Sequence, residues 1–361
     1  MTILSAEALL EVRGLETSFP IRAGVLRQVR DRLRAVNGVD LTIYPGETLA
    51  LVGESGCGKT TVGRSLVRLV EPTGGNIWFG GVNLSRLSSK AFKPYRQKMQ
   101  IVMQDPGAAL DPRLSVRDAI AEGMEAFGLG TSGAERTQRV AALMQRVSLD
   151  PELMWRYPHE FSGGQRQRIS IARALAVEPA LLICDEATSA LDVSIQAQIL
   201  NLLSELKAER RLTYLFITHD LGVVRYFADR VAVMYLGRIV ELGRTERVFT
   251  APQHPYTQAL LASIPSLDPD CRGVKPTALG DVPSPLRPPS GCHFHPRCAV
   301  RLASCGTYDP PVVPLPDGLA RCVLAASGAD STGEPERSEA PLAAPPPRKH
   351  CAGETAMEPS P

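Results

Sequence analysis

Between residues 48 and 70 the chain passes from a short apolar run, through a glycine-rich turn, into a helical repeat. Thr48-Leu49-Ala50-Leu51-Val52 is apolar and partly β-branched, which is the pattern of a buried strand. From Thr61 to Val70, Val62, Leu66, Leu69 and Val70 recur at helical spacing. The residues between them, Gly53-Glu54-Ser55-Gly56-Cys57-Gly58-Lys59-Thr60, fit the pattern G-x-x-x-x-G-K-S/T of a phosphate-binding loop. Its glycines let the backbone fold tightly, so that successive N–H groups point at phosphate oxygens. The following helix N-terminus adds partial positive charge. The stretch from Gly53 to Thr61 is therefore expected to bind a nucleotide. Lys59 is expected to reach the β- and γ-phosphates, and the Thr60 hydroxyl to ligate Mg²⁺. Cys57 occupies a variable position and reads as a small filler rather than a redox residue.

A strand feeding such a loop implies an α/β fold, and the rest of the chain agrees. Further apolar runs end near Phe19, span 36–43, 77–79 and 100–103, and recur at 180–184, 213–218, 231–235 and 238–242. Helical patterns lie between several of them: about 115–155, with Val140, Leu143, Met144 and Val147 on one face, then 163–175 and 194–206. The alternation predicts a mostly parallel sheet flanked by helices, with an antiparallel β portion near the N-terminus and a helical subdomain over about 104–178. The arginine-rich segment 22–34 reads as a solvated loop. Past Gly243 a helical signal continues through 244–264, then proline recurs over 265–316. Residues 325–361, rich in Ala, Pro, Ser and Glu, read as a disordered tail.

Composition narrows the function classes. A charged fraction of 22% and a hydrophobic fraction of 44% suit a soluble globular protein. A net charge of +2 gives no support to a nucleic-acid partner. No apolar run approaches the roughly 18–20 residues that span a bilayer, and the start lacks the features of a signal peptide. The expectation is a cytoplasmic protein with reduced cysteines.

A phosphate loop needs a second strand with an acidic end, and Leu181-Leu182-Ile183-Cys184-Asp185-Glu186 supplies one. Asp185 is expected to hold Mg²⁺, and Glu186 to polarise the attacking water as general base. Phe161-Ser162-Gly163-Gly164-Gln165, ending 15 residues before Ala180, resembles the signature motif of ATP-binding cassette (ABC) ATPases. Gln104 resembles that family's Q-loop glutamine, Ser189-Ala190-Leu191-Asp192 its D-loop, and His219 its switch histidine. Phe161 stands where leucine is commoner in the family. The resemblance spans about residues 8–245 and implies a P-loop ABC ATPase domain that binds ATP and Mg²⁺. It also implies roles. Gln104 senses metal and water, His219 holds the γ-phosphate, and Phe19 stacks on adenine. Ser162, Gly163, Gly164, Gln165 and Asp192 meet the nucleotide of a second cassette. Two such cassettes clamp two ATP molecules head to tail, so one chain carries half of each site.

Residues 254–261 and 283–298, with Gln104-Asp105-Pro106, Asp111-Pro112-Arg113 and 192–198, resemble ATPases of oligopeptide/dipeptide importers, and in detail their second ATPase type. This implies an extension over 246–324 and an ATP-hydrolysing subunit that powers peptide import from the cytoplasmic membrane face. It implies a second ATPase (hetero- or homodimeric), two transmembrane permease subunits and an external solute-binding protein as partners. The region 104–155 would receive a permease's coupling helix. Nickel, glutathione and other small solutes remain alternative cargoes, and a soluble regulatory or repair ABC ATPase remains an alternative class. Cys292, Cys298, Cys305 and Cys322 follow C-x5-C-x6-C-x16-C in a proline-rich segment, a spacing that suggests a stapling metal site. The resemblance implies an iron–sulfur (4Fe–4S) cluster in some members. Zinc and plain reduced thiols stay open, and His293 and His295 are alternative ligands that read rather as surface residues. Cys271 and Cys351 fall outside the spacing and read as free thiols.

Overall fold

The structure is a computed structural model that describes residues 7–23, 28–189, 191–264 and 278–327. Two sheets organise it. The first is antiparallel, in the order β2-β1-β4-β5, from β1 (Leu10–Ala23), β2 (Gln28–Ile43), β4 (Gly74–Phe79) and β5 (Val82–Asn83). The second has eight strands in the order β11-β12-β10-β9-β3-β8-β7-β6. In it β6 (Met99–Val102), β7 (Leu181–Asp185), β8 (Thr213–Thr218), β3 (Thr48–Val52) and β9 (Arg230–Tyr235) run parallel. β10 (Arg238–Arg244), β12 (Gly318–Ala320) and β11 (Val313–Leu315) continue it antiparallel.

Strands β3, β7 and β8 are buried at every residue, as parallel strands covered on both faces must be. Their alternation sorts three cores. Leu49, Leu51, Leu181, Ile183, Leu215 and Ile217 face the antiparallel sheet and α1 (Lys59–Leu66). Leu182, Cys184, Tyr214 and Phe216 face the helical part. That part contains α4 (Val116–Ala126), α5 (Gly133–Arg146), α6 (Gly163–Leu175) and α7 (Val193–Arg210). Ala50, Val52, Val231, Val233 and Tyr235 face the C-terminal extension through Tyr256, Phe294 and Cys298.

Several expectations change. Within the arginine-rich segment, 22–23 and 28–34 are paired strand rather than loop, with Ser18 opposite Arg34, Phe19 opposite Leu33 and Ile21 opposite Asp31; residues 24–27 lie outside the described residues. Pairing with β1 satisfies one edge of β2 while Arg30, Arg32 and Arg34 stay exposed, so hydrophobic pattern alone could not reveal the strand. The 115–155 pattern is two helices and a 3-10 turn (Pro151–Trp155), broken where Gly128 and Gly130 take φ of 70° and 80°. The extension is not only loops and helix: β11 and β12 add to the main sheet through β10. Residues 325–327 belong to α11 (Val323–Ser327) rather than to the tail, and 328–361 lie outside the described residues. The sequence pattern also missed α2 (Ser89–Lys98) and α8 (Leu221–Phe227), whereas α3 (Pro106–Ala109) falls within the expected helical subdomain and α9 (Thr245–Thr250) and α10 (Pro255–Ala262) within the helical signal over 244–264.

Candidate active site

The site lies at the carboxyl ends of the parallel strands, where open α/β sheets place ligands. β3 ends in Gly53, and the loop to α1 passes through Gly53, Gly56 and Gly58 at positive φ. A Cβ on Gly53 would stand 2.2 Å from the Met234 carbonyl oxygen, and one on Gly58 2.1 Å from that of Ala35. Only glycine fits this path. Gly58 caps α1 without a side-chain acceptor, which leaves the first N–H groups of the helix for an anion. Lys59 is 4% exposed, and its Nζ donates to the Gly53 and Glu54 carbonyls at 2.8 and 2.9 Å. Burial raises the Cys57 thiol pKa, so this residue stays an uncharged wall beside Lys59. Ser55 and Thr61 complete the loop and the first helical turn.

Thr60 Oγ1 donates to Asp185 Oδ1 at 2.8 Å. Asp185 is 1% exposed; burial raises its carboxyl pKa, and the Thr60 hydrogen bond opposes this. Its Oδ2 has no hydrogen-bond partner, and Arg64 Nε lies 4.0 Å away. A buried carboxylate with one unsatisfied oxygen beside a hydroxyl is an all-oxygen donor set that suits Mg²⁺.

Glu186 follows Asp185 with φ of 48°, a costly left-handed conformation for a residue with a Cβ. Gln104, past the end of β6, donates from Nε2 to Glu186 Oε2 at 2.8 Å. His219, past the end of β8, places Nδ1 3.5 Å from Glu186 Oε1. Three strand ends thus converge on one carboxylate. Ser189 Oγ donates to the Glu186 carbonyl at 3.0 Å.

Ser162 and Gln165 form a capping box at the start of α6: Ser162 Oγ accepts from Gln165 N–H, and Gln165 Oε1 accepts from Ser162 N–H. Gly163 is unobstructed, whereas a Cβ on Gly164 would stand 2.7 Å from Ile195. Asp192 caps α7 by accepting from Ile195 N–H at 3.0 Å. Phe161 is buried in the helical core, so the larger ring is accommodated. Phe19 is 37% exposed on the hairpin. Ala190 lies outside the described residues.

Cys292, Cys298, Cys305 and Cys322 line one cavity with Phe294, His254, His295 and other side chains. Burial pushes the Cys292 thiol up to about 11 and also raises Cys298 and Cys322. Among the described residues no three His, Cys, Asp or Glu side chains are grouped to hold a metal ion. The metal site expected from the spacing is thus not formed by the side chains as they stand. His293 Nδ1 lies 3.3 Å from the Leu236 carbonyl, so this ring is turned to the backbone. Cys271 and Cys351 lie outside the described residues.

Sequence reasoning missed two residues at the loop. Arg297 and Tyr256, both from the extension, hydrogen-bond to Glu54. No motif places them there.

The profile of the ABC transporter family matches residues 36–189, and that of the oligopeptide/dipeptide transporter C-terminal region matches 240–305. A probable peptide ABC transporter ATP-binding protein of Sinorhizobium fredii is 48% identical over 315 residues, covering 87% of this chain and 89% of that one. The chain belongs to the ABC transporter ATP-binding protein family. The oligopeptide transport ATP-binding protein AppF of Bacillus subtilis is 49% identical over 308 residues, covering 84% and 93% of the two chains. Among solved structures, a dimeric post-hydrolysis state of the ATP-binding cassette MJ0796 bound to ADP and Pi matches with a TM-score of 0.59 and 27% identity. That match covers 65% of this chain and 98% of that one. This ABC protein is accordingly an ATPase, converting ATP and water to ADP and phosphate, and its fold is that of the P-loop cassettes. Among its described residues no helix is long and apolar enough to cross a membrane.

Proposed function

We propose that this ABC ATPase powers the import of peptides, working at the cytoplasmic face of the membrane with two permease subunits and a second cassette. The observation that carries this is the pairing of a complete strand-end constellation with a C-terminal region of the oligopeptide/dipeptide type. Residues 8–245 form the ATPase domain, with a helical subdomain over about 104–178, and 246–324 the extension. The strand pairing of β12 on β10 supports treating the extension as bound to the ATPase rather than as a separate lobe.

Each residue has a proposed task. Lys59 and the loop N–H groups bind the β- and γ-phosphates. Thr60, Asp185 and Gln104 hold Mg²⁺, which when bound neutralises phosphate charge. Glu186 accepts the proton of the attacking water at a carboxylate oxygen. Gln104 and His219 fix that carboxylate from two sides, and His219 holds the γ-phosphate. Phe19 offers its exposed ring to adenine. Ser162, Gly163, Gly164, Gln165 and Asp192 close over the nucleotide of the partner cassette.

Affinity purification from detergent-solubilised membranes tests the assignment. Two polytopic membrane proteins and a cassette should co-purify, and ATP-dependent peptide uptake should disappear when this chain is deleted. Co-purification with DNA or ribosomes instead would place it among the soluble ABC ATPases.

The four cysteines carry a second part of the proposal, an iron–sulfur (4Fe–4S) cluster. Its support is the convergence of four thiols on one largely apolar cavity and their C-x5-C-x6-C-x16-C spacing. Anaerobic purification should give about four irons and four sulfides per chain. A colourless, iron-free protein that assembles normally would remove the cluster.

A further inference from the structure

The phosphate loop is tied to the extension through its second residue. The Glu54 carboxylate accepts two hydrogen bonds from Arg297, Nη1 to Oε2 at 2.8 Å and Nη2 to Oε1 at 3.0 Å. The Glu54 backbone N–H donates to the Tyr256 hydroxyl at 2.9 Å. Tyr256 lies on α10, and Arg297 closes the 3-10 turn His295–Arg297, one residue before Cys298.

Both partners are locked in place. Arg297 is 8% exposed and Tyr256 1%. The Arg297 guanidinium lies 5.8 Å from the Tyr235 ring centre and 5.9 Å from that of Phe294. Tyr235, Tyr256 and Phe294 pack against one another with ring centres 4.6 to 5.3 Å apart. A two-point guanidinium–carboxylate contact fixes orientation as well as charge, and here the guanidinium has little freedom of its own. The same Glu54 supplies one of the two carbonyls that hold Lys59 Nζ. The extension therefore reaches the lysine of the loop through a single residue.

We infer that Arg297 and Tyr256 are positioning residues for ATP binding. They fix the first peptide of the loop, and Arg297 compensates a carboxylate that otherwise adds negative charge beside the phosphate cradle. The extension is then part of the nucleotide site. The inference rests on Gly53–Thr60 being that cradle.

The test measures binding of a fluorescent ATP analogue with Mg²⁺ to the full-length protein, with a melting temperature taken for each variant. Arg297→Met should raise Kd about tenfold, since it leaves Glu54 charged and unpaired. Arg297→Lys keeps the charge but loses the fork, and should fall between the two. Combining Glu54→Gln with Arg297→Met should bring Kd back to within about threefold of the unmodified protein, because the uncompensated charge is gone. A role confined to folding the extension predicts no such recovery. Tyr256→Phe keeps the ring and removes only the acceptor of the Glu54 N–H; it should raise Kd about threefold, and it serves if Arg297→Met does not fold. An unchanged Kd in Arg297→Met, or a double variant as weak as Arg297→Met, overturns the role of Arg297. An unchanged Kd in Tyr256→Phe overturns that of Tyr256. Failure of the unmodified protein to bind the analogue would overturn the cradle itself.

Discussion

Glu186→Gln should lower ATP turnover about a thousandfold, the range expected for loss of a positioned general base, while ATP binding persists. The amide has the shape of the carboxylate, and its oxygen can still accept from Gln104 Nε2, which now lies 2.8 Å from Glu186 Oε2. What it lacks is a basic oxygen for the water proton. The left-handed backbone at Glu186 is set by the strand, whose next hydrogen bond runs from Glu186 N–H to the Ile217 carbonyl at 2.9 Å, so the substitution does not relax it. Nucleotide binding followed by single-turnover hydrolysis checks the result. Turnover equal to that of the unmodified protein would remove Glu186 from the base role.

Lys59→Ala should have the complementary effect and weaken ATP binding itself by about a hundredfold. The ammonium is buried and held by the Gly53 and Glu54 carbonyls, so its charge is fixed at the loop. Truncation removes the cation and leaves those carbonyls without their donor. Titration with a fluorescent ATP analogue reads the loss. If Lys59→Ala binds ATP like the unmodified protein, the loop is not the phosphate site. Together the two variants separate binding from chemistry.

The parts of the site that were legible in the sequence are those in which chemistry is local. Gly53 to Thr60 is one continuous run whose glycines and lysine act within a single turn, and the strand and helix beside it follow from apolar spacing. Asp185 and Glu186 were legible because an acidic pair ends a buried strand. Gln104 and His219 were not distinctive as isolated residues, and only the resemblance to ABC ATPases singled them out. Their meeting at Glu186 depends on β6, β7 and β8 being adjacent and in register. The arginine hairpin was hidden because exposed charged strands lack an apolar alternation. The Arg297–Glu54 contact spans 243 residues and follows from no motif. The cysteines show the opposite limit. Their spacing announced a shared site, and the fold brings them to one cavity, yet spacing says nothing about how closely the thiols stand.

The central claim is that this chain binds ATP with its own loop but needs the Ser162–Gln165 motif to complete the site of a second cassette. In the capping box each of the two polar side chains accepts the other residue's backbone N–H, and Gly163 leaves room for a nucleotide to approach the start of α6. Substituting Ser162→Arg and measuring ATP binding by the isolated chain alongside turnover by the purified complex tests this most directly. The account predicts unchanged ATP affinity in the isolated chain and a loss of most turnover in the complex. Weakened ATP binding by the isolated chain, or full turnover in the complex, would contradict it.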